Sequence, residues 1–181
     1  MEPRKFNGLM PAVHELYVAN VLGMHRNGHD IDLSSNKAVV EVKFRFLDPA
    51  GKHPRKWVVL DYQLAYGEDP EGRPAYWCLG FYKLTRPIKS LHPELRRREK
   101  LERLVTEREM YLVPWDWMLQ FPIHQTRGET ERTVWNNNLI YSRADCLPKV
   151  TQTHQTPKGQ LHLTEGVNPK HFPYLTEDVP F

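Results

Sequence analysis

Apolar and polar side chains alternate over residues 38–46. Val40, Val42, Phe44 and Phe46 fall on one side, and Val39, Glu41, Lys43 and Arg45 on the other. Successive side chains of a strand point to opposite faces, so this pattern predicts a half-buried β-strand. Residues 30–33 (Asp-Ile-Asp-Leu) alternate in the same way, and Ser34-Ser35-Asn36-Lys37 between the two runs is a turn cluster. Together they predict a β-hairpin. Upstream, Val13, Leu16, Ala19 and Leu22 recur at helical spacing, with Pro11 suited to a first turn and Gly23 to a stop, which predicts a helix over residues 11–22.

Further along, residues 57–66 fit a strand or a helix equally well by periodicity. Residues 75–84 (AYWCLGFYKL) are compact and aromatic and predict a buried strand. Residues 91–109 are densely charged and predict a helix. Its Arg96-Arg97-Arg98 run reads as a solvated face offset by Glu94, Glu99, Glu102 and Glu107, or more sharply as a phosphate-contacting surface. Residues 110–120 and 136–141 predict strands. Trp115 and Trp117, two apart on such a strand, would share a face and either pack in the core or stack on bases. From Pro148 onward, Pro157, Pro169, Pro173 and Pro180 interrupt the chain and predict an extended C-terminal arm over residues 148–181. The expected organisation is one α/β domain over residues 1–147, a mixed central sheet flanked by helices, followed by that arm.

Composition narrows the class. The chain has 181 residues, enough for one domain with a real core, and 40% of them are apolar against 26% charged. No run reaches the ~20 apolar residues of a membrane helix, and the first residues show no secretory pattern, so a cytoplasmic protein away from membranes is expected. Cys78 and Cys146 form no CxxC and are expected to be reduced structural thiols. The net charge of +3 permits a polyanionic partner without requiring one. Nine histidines are scattered without HxxxH or HExxH spacing, although His14 and His29 each precede an acidic residue that could line a cleft. No GxSxG, P-loop or GxGxxG occurs, so acyl transfer, P-loop nucleotide hydrolysis and dinucleotide chemistry have no support.

The chemistry sits on the hairpin. Asp30 and Asp32 share one strand face, and the short turn can bring either opposite Glu41, whose face also carries Lys43. Carboxylates ~5 Å apart across a ladder repel unless a cation lies between them, and a hard divalent ion such as Mg²⁺ resolves the conflict. Lys43 would then position water or stabilise charge on a phosphate. The plain alternative is an exposed Glu41–Lys43 ion pair worth ~0–1 kcal/mol.

Asp-x(n)-Glu-x-Lys on a hairpin resembles the PD-(D/E)xK nucleases, of restriction-endonuclease-like fold, and small members similar to archaeal Holliday-junction resolvases. The resemblance covers about residues 8–85, with His29 in place of the motif's Pro. It implies Mg²⁺-dependent hydrolysis of phosphodiesters in DNA, with RNA left open and Mn²⁺ able to substitute. It implies Asp30 or Asp32, Glu41 and the Val42 carbonyl as metal ligands. The Ile-Asp-Leu context of Asp32 resembles the family's Glu-Ile-Asp-Leu strand. Glu15, on the first helix, matches the helix Glu that supports the metal, and Gln63 matches a Gln that follows the Glu-x-Lys strand. Arg45, Arg96, Arg97 and Arg98 are the candidate nucleic-acid contacts, and a homodimer is implied where both strands are cut. The rival expectations are a non-catalytic nucleic-acid-binding module and an unrelated interaction protein.

Overall fold

The computed structural model describes residues 3–28, 31–47, 56–60, 67, 69–86, 98–129, 134–141 and 146–176. In chain order the elements are α1 (Pro3–Leu22), β1 (His25–Arg26), β2 (Leu33–Ser34), β3 (Val39–Phe46), β4 (Val58–Leu60), β5 (Ala75–Leu84), α2 (Arg98–Leu104) and β6 (Val105–Pro114). A 3₁₀ helix (Trp115–Gln120) follows, then β7 (Ile123–Glu129), β8 (Val134–Tyr141), β9 (Val150–Thr156), β10 (Gly159–Thr164), a 3₁₀ turn (Pro169–His171) and α3 (Pro173–Thr176). The class is mixed α/β. Among the described residues no helix is long and apolar enough to cross a membrane.

The main sheet runs β1-β2-β3-β5-β6-β10-β9, and β4, β8 and β7 form a second, three-stranded antiparallel sheet. In the main sheet β3 and β5 are parallel, as are β6 and β10, and the other pairs are antiparallel. Both faces are covered. Val18 and Leu22 of α1 pack with Val40, Val42, Cys78, Leu112, Leu161 and Phe172 on one face. Trp57, Trp77, Leu79, Phe81, Tyr111 and Val113 pack on the other.

The expected helix at residues 11–22 is longer, with Pro11 inside it rather than at its start. An interior proline costs a helix ~3 kcal/mol. Burial of Met10 and Val13 against Tyr82 and Leu101 returns ~1.5–3 kcal/mol for each side chain, and Pro11 itself sits on the exposed side. Leu16, counted with the apolar stripe, is 45% exposed. The buried stripe runs instead through His14, Val18, Val21 and Leu22. The helix stops as expected: Gly23 adopts φ 69°, and the Met24 N–H closes on the Ala19 carbonyl at 3.0 Å.

Three other expectations are corrected. The charged helix ends at Leu104, and residues 105–114 form a central strand, because pairing with β5 and β10 buries Met110 and Leu112 on one face and Tyr111 and Val113 on the other. Residues 115–120 are a 3₁₀ helix after Pro114, not a strand, and Trp115 and Trp117 are core packing. Trp115 stacks on Trp77 at 4.0 Å, and Trp117 meets Trp57 and Phe121 edge-on. The C-terminal segment is not an arm. β10 lies between β6 and β9 inside the main sheet, so the boundary at residue 147 does not hold. The prolines mark element ends: Pro148 precedes β9, Pro157 sits in the β9–β10 turn, and Pro169 and Pro173 open the last two helical turns. Of residues 57–66, the stretch 58–60 is a strand, and residues 61–66 lie outside the described part.

A buried polar cluster ties these layers together. The Arg108 side chain on β6 is fully buried. Its Nε donates to Nδ1 of His14, its two terminal nitrogens donate to the Glu102 carboxylate, and its guanidinium lies 4.0 Å from the Tyr17 ring centroid. The Tyr17 hydroxyl donates to Thr156 Oγ1 and accepts from the Lys158 N–H in the β9–β10 turn. Gly159 pairs directly with Arg108, whose own N–H donates to the Lys158 carbonyl at 2.6 Å. A Cβ on Gly159 would stand 1.8 Å from the Arg108 carbonyl oxygen, at φ 140°. Gly159→Ala should therefore destabilise the whole domain by ~2–4 kcal/mol, seen as a lower denaturation midpoint; an unchanged midpoint would show the hairpin to be peripheral.

Candidate functional site: the acidic pair of the β2–β3 hairpin

The β2–β3 turn is short and held by its own residues. The Ser35 N–H donates to the Ala38 carbonyl, and Ser35 Oγ accepts from the N–H groups of Lys37 and Ala38. Arg73, gripped by Asp69, donates to the Ser35 carbonyl at 2.8 Å from outside. This fixes the register at Leu33 opposite Val40 and Ser34 opposite Val39. One step further, Asp32 comes opposite Glu41. The hairpin of the sequence reading is thus present, with shorter first strand.

Each carboxylate accepts from a backbone N–H of the other's strand. Asp32 Oδ2 accepts from the Val42 N–H at 2.8 Å, and the Asp32 N–H donates to Glu41 Oε2 at 3.3 Å. Lys43 Nζ donates to Glu41 Oε1 at 2.7 Å. The Glu41 side chain is 3% exposed and that of Lys43 26%, so the pair is not the exposed surface bridge of the plain alternative. In the register of β3 with β5, Glu41 and Lys43 stand beside Trp77 and Leu79, on the face of the aromatic cluster. From α1, Glu15 accepts a hydrogen bond from Arg26 Nε at 2.6 Å.

Electrostatics link these groups. Burial raises the Asp32 carboxyl to about 7, and the neighbouring Glu41 charge adds to the rise. The Val42 N–H and Lys43 oppose it, and Glu15 adds a smaller push in the same direction as Glu41. Asp32 therefore senses the charges of Glu41, Lys43 and Glu15 together.

Asp32, Glu41 and Lys43 are accordingly brought together, and among the described residues the Glu15 charge on α1 is felt at Asp32 without touching the group. Val42 joins through its N–H. Arg45 lies on β3 two residues beyond Lys43 and is exposed, and Arg98 opens α2. Asp30, Gln63, Arg96 and Arg97 lie outside the described residues. His14 does not line a cleft. Its ring stacks on Phe44 at 4.3 Å, and burial, with Arg108 beside it, holds it well below the ordinary histidine range. His29 lies outside the described residues. Cys78 and Cys146 are free thiols, as expected.

Sequence reasoning missed Arg26. It lies on a two-residue strand after the helix stop, too short for a periodicity to show, and only the pairing of β1 with β2 brings it beside Glu15.

Asp32 and Glu41 offer carboxylate oxygens, the donor set of a hard divalent ion, and their mutual repulsion is the conflict such an ion relieves. Among the described residues no three His, Cys, Asp or Glu side chains stand together at ligand spacing. One oxygen of Glu41 is held by Lys43 and one of Glu15 by Arg26. No protein-family model, no curated protein and no solved structure matches this chain.

The Asp32 shift has a definite sign. Its carboxyl ionises at 3.8 when unperturbed and near 7 in the folded protein, so across that interval the folded state holds a proton that the unfolded state has lost. Stability from this group is present at low pH and drains away as pH rises toward 7. In metal-free buffer, Asp32→Asn should exceed the parent protein in stability by roughly 2 kcal/mol near pH 8, with the gap closing by about pH 4. Thermal melts at both pH values check this, and a gap independent of pH would remove Asp32 as the responsible group.

Proposed function

We propose that this chain is a Mg²⁺-dependent endonuclease of the PD-(D/E)xK type, with a restriction-endonuclease-like core, that hydrolyses phosphodiester bonds in DNA. The observation that carries the reading is the half-buried Asp32–Glu41–Lys43 group on a pinned hairpin, where Asp32 also feels the Glu15 charge from the first helix. Burial of Glu41 favours it over a surface charge pair, because an exposed pair leaves both partners free in water.

In this reading Asp32 and Glu41 hold the ion, with the Val42 carbonyl as a further oxygen. Bound there, Mg²⁺ would lower the pKa of a water and offset charge developing on the phosphate. The chain's own residues do the rest. The Val42 N–H fixes the Asp32 carboxylate, leaving its second oxygen for the ion. Lys43 Nζ sits 2.7 Å from Glu41 Oε1, where its other protons can orient the attacking water or meet a phosphate oxygen. Glu15 adds negative charge at the rim, with Arg26 as counter-ion. A cytoplasmic location belongs to the same reading, as does a homodimer, since paired sites under two-fold symmetry would serve cleavage of both strands.

Cleavage of supercoiled plasmid, linear duplex, single strand and four-way junction in about 10 mM Mg²⁺ or Mn²⁺ tests it. Lys43→Ala and Glu41→Ala should each lower the rate by roughly 10²-fold or more while the circular dichroism stays that of the parent. Wild-type cutting by either variant would show that the activity arises elsewhere. Independently of activity, Mg²⁺ should raise the melting temperature in proportion to RT ln(1 + [L]/Kd), and Glu41→Gln should abolish the rise. A melting curve indifferent to metal in both proteins would leave a binding module or an ordinary charged edge.

A further inference from the structure

We infer that Arg26 is the residue that grips a backbone phosphate of the nucleic-acid substrate beside the acidic pair, bridging it to Glu15. This rests on the phosphodiesterase reading above.

The guanidinium is used on one side only. Its Nε donates to Glu15 Oε2 at 2.6 Å, and among the described residues no protein group meets its two terminal nitrogens. The side chain is 32% exposed, against 13% for Glu15, so the pair opens to solvent on the arginine side. Arginine's paired terminal N–H groups match two oxygens of a phosphate. β1, which carries it, is the outermost strand at this end of the main sheet, next to the strand leading from Asp32.

Charge balance gives the same direction. With Glu15, Asp32 and Glu41 ionised, Lys43 and Arg26 leave the group at −1. A divalent ion brings it to +1, the complement of one phosphodiester. Without Arg26 the same loaded group would be neutral and would hold no net attraction for the backbone.

Binding of a fluorescent DNA duplex, followed by anisotropy in Ca²⁺ over a KCl series, reads this directly. Each phosphate neutralised contributes about 0.9 to the slope of log Kobs against log salt. Arg26→Ala should lose about that much slope, Arg26→Lys should keep the slope with weaker binding, and Lys149→Ala, an exposed charge at the far end of the sheet, should leave it unchanged. If Arg26→Ala is poorly folded, Glu15→Gln/Arg26→Ala removes both partners, leaves no orphan carboxylate and should show the same loss against Glu15→Gln alone. A slope equal to the parent's, or a loss no greater than that of Lys149→Ala, overturns the inference, as does the absence of duplex binding at low salt. Parallel cleavage assays separate the two ideas. Cutting that depends on Glu41, with an unchanged Arg26 slope, would sink the phosphate grip alone. A lost slope in a protein that never cuts would keep the grip and sink the hydrolase.

Discussion

The position of α1 on the sheet depends on one buried cation. Arg108 has no water to solvate it, so every donor must be answered from within the protein. The answers come from different parts of the chain: His14 and the Tyr17 ring from α1, and Glu102 from α2. The β9–β10 turn closes the same cluster through Tyr17 and through the Arg108 N–H. Sliding α1 along the sheet, or removing the C-terminal hairpin, would strand a buried charge at a cost of several kcal/mol. His14 is fixed further by its stack on Phe44, one residue beyond Lys43. Glu15 follows His14 directly, so the contact that seats α1 also sets where Glu15 meets Arg26.

The site uses its own cations as counter-ions. Three carboxylates in one region of partial burial would repel strongly if left alone. Lys43 takes one oxygen of Glu41 and Arg26 one oxygen of Glu15. Among the described residues Asp32 is hydrogen-bonded by a backbone N–H alone, with Lys43 acting at a distance, and it is the carboxyl that burial and Glu41 push up to about 7. The unrelieved charge of the group is thus concentrated on one carboxylate. His14 acts in the opposite sense on stability. Held neutral in the folded protein, it favours the unfolded chain as pH falls below the ordinary histidine value of 6.5, whereas Asp32 does so as pH rises toward 7.

Legibility in the sequence followed how local the cause was. β5 matches residues 75–84 and β3 matches the alternating run, because a buried strand and a pleat write themselves into neighbouring residues. The helix stop at Gly23 was legible because only a residue tolerant of positive φ closes it cheaply. The start of α1 was not, since its first half is helical through tertiary burial of Met10 and Val13 despite Pro11. Residues 105–109 carry helix-favouring charges, yet they join β6 because a central strand was needed between β5 and β10, and no local propensity records a partner fifty residues away. The prolines from residue 148 onward predict an extended arm by local propensity, whereas in the fold they delimit its elements. In the site, Glu41 and Lys43 were legible as a spacing on one strand. Arg26 and Arg108 were not, because their roles exist only once strands have paired.

Parity alone left Asp30 and Asp32 equivalent opposite Glu41, and the hairpin register breaks that tie for Asp32. Leu33 faces Val40, so the next rung belongs to Asp32 and Glu41, and the reciprocal contacts of each with the other's strand occupy it. The same rung separates an ordinary ion pair from a site. Glu41 and Lys43 in water would hold each other weakly and gain little from folding. Here Glu41 is almost wholly buried beside a second carboxylate that burial keeps close to neutral pH, an arrangement that costs stability when both are ionised. Stability does not explain why a fold would place two acids on adjoining strands beneath one lysine. The nuclease reading proposed above does, because its chemistry places a cation between them.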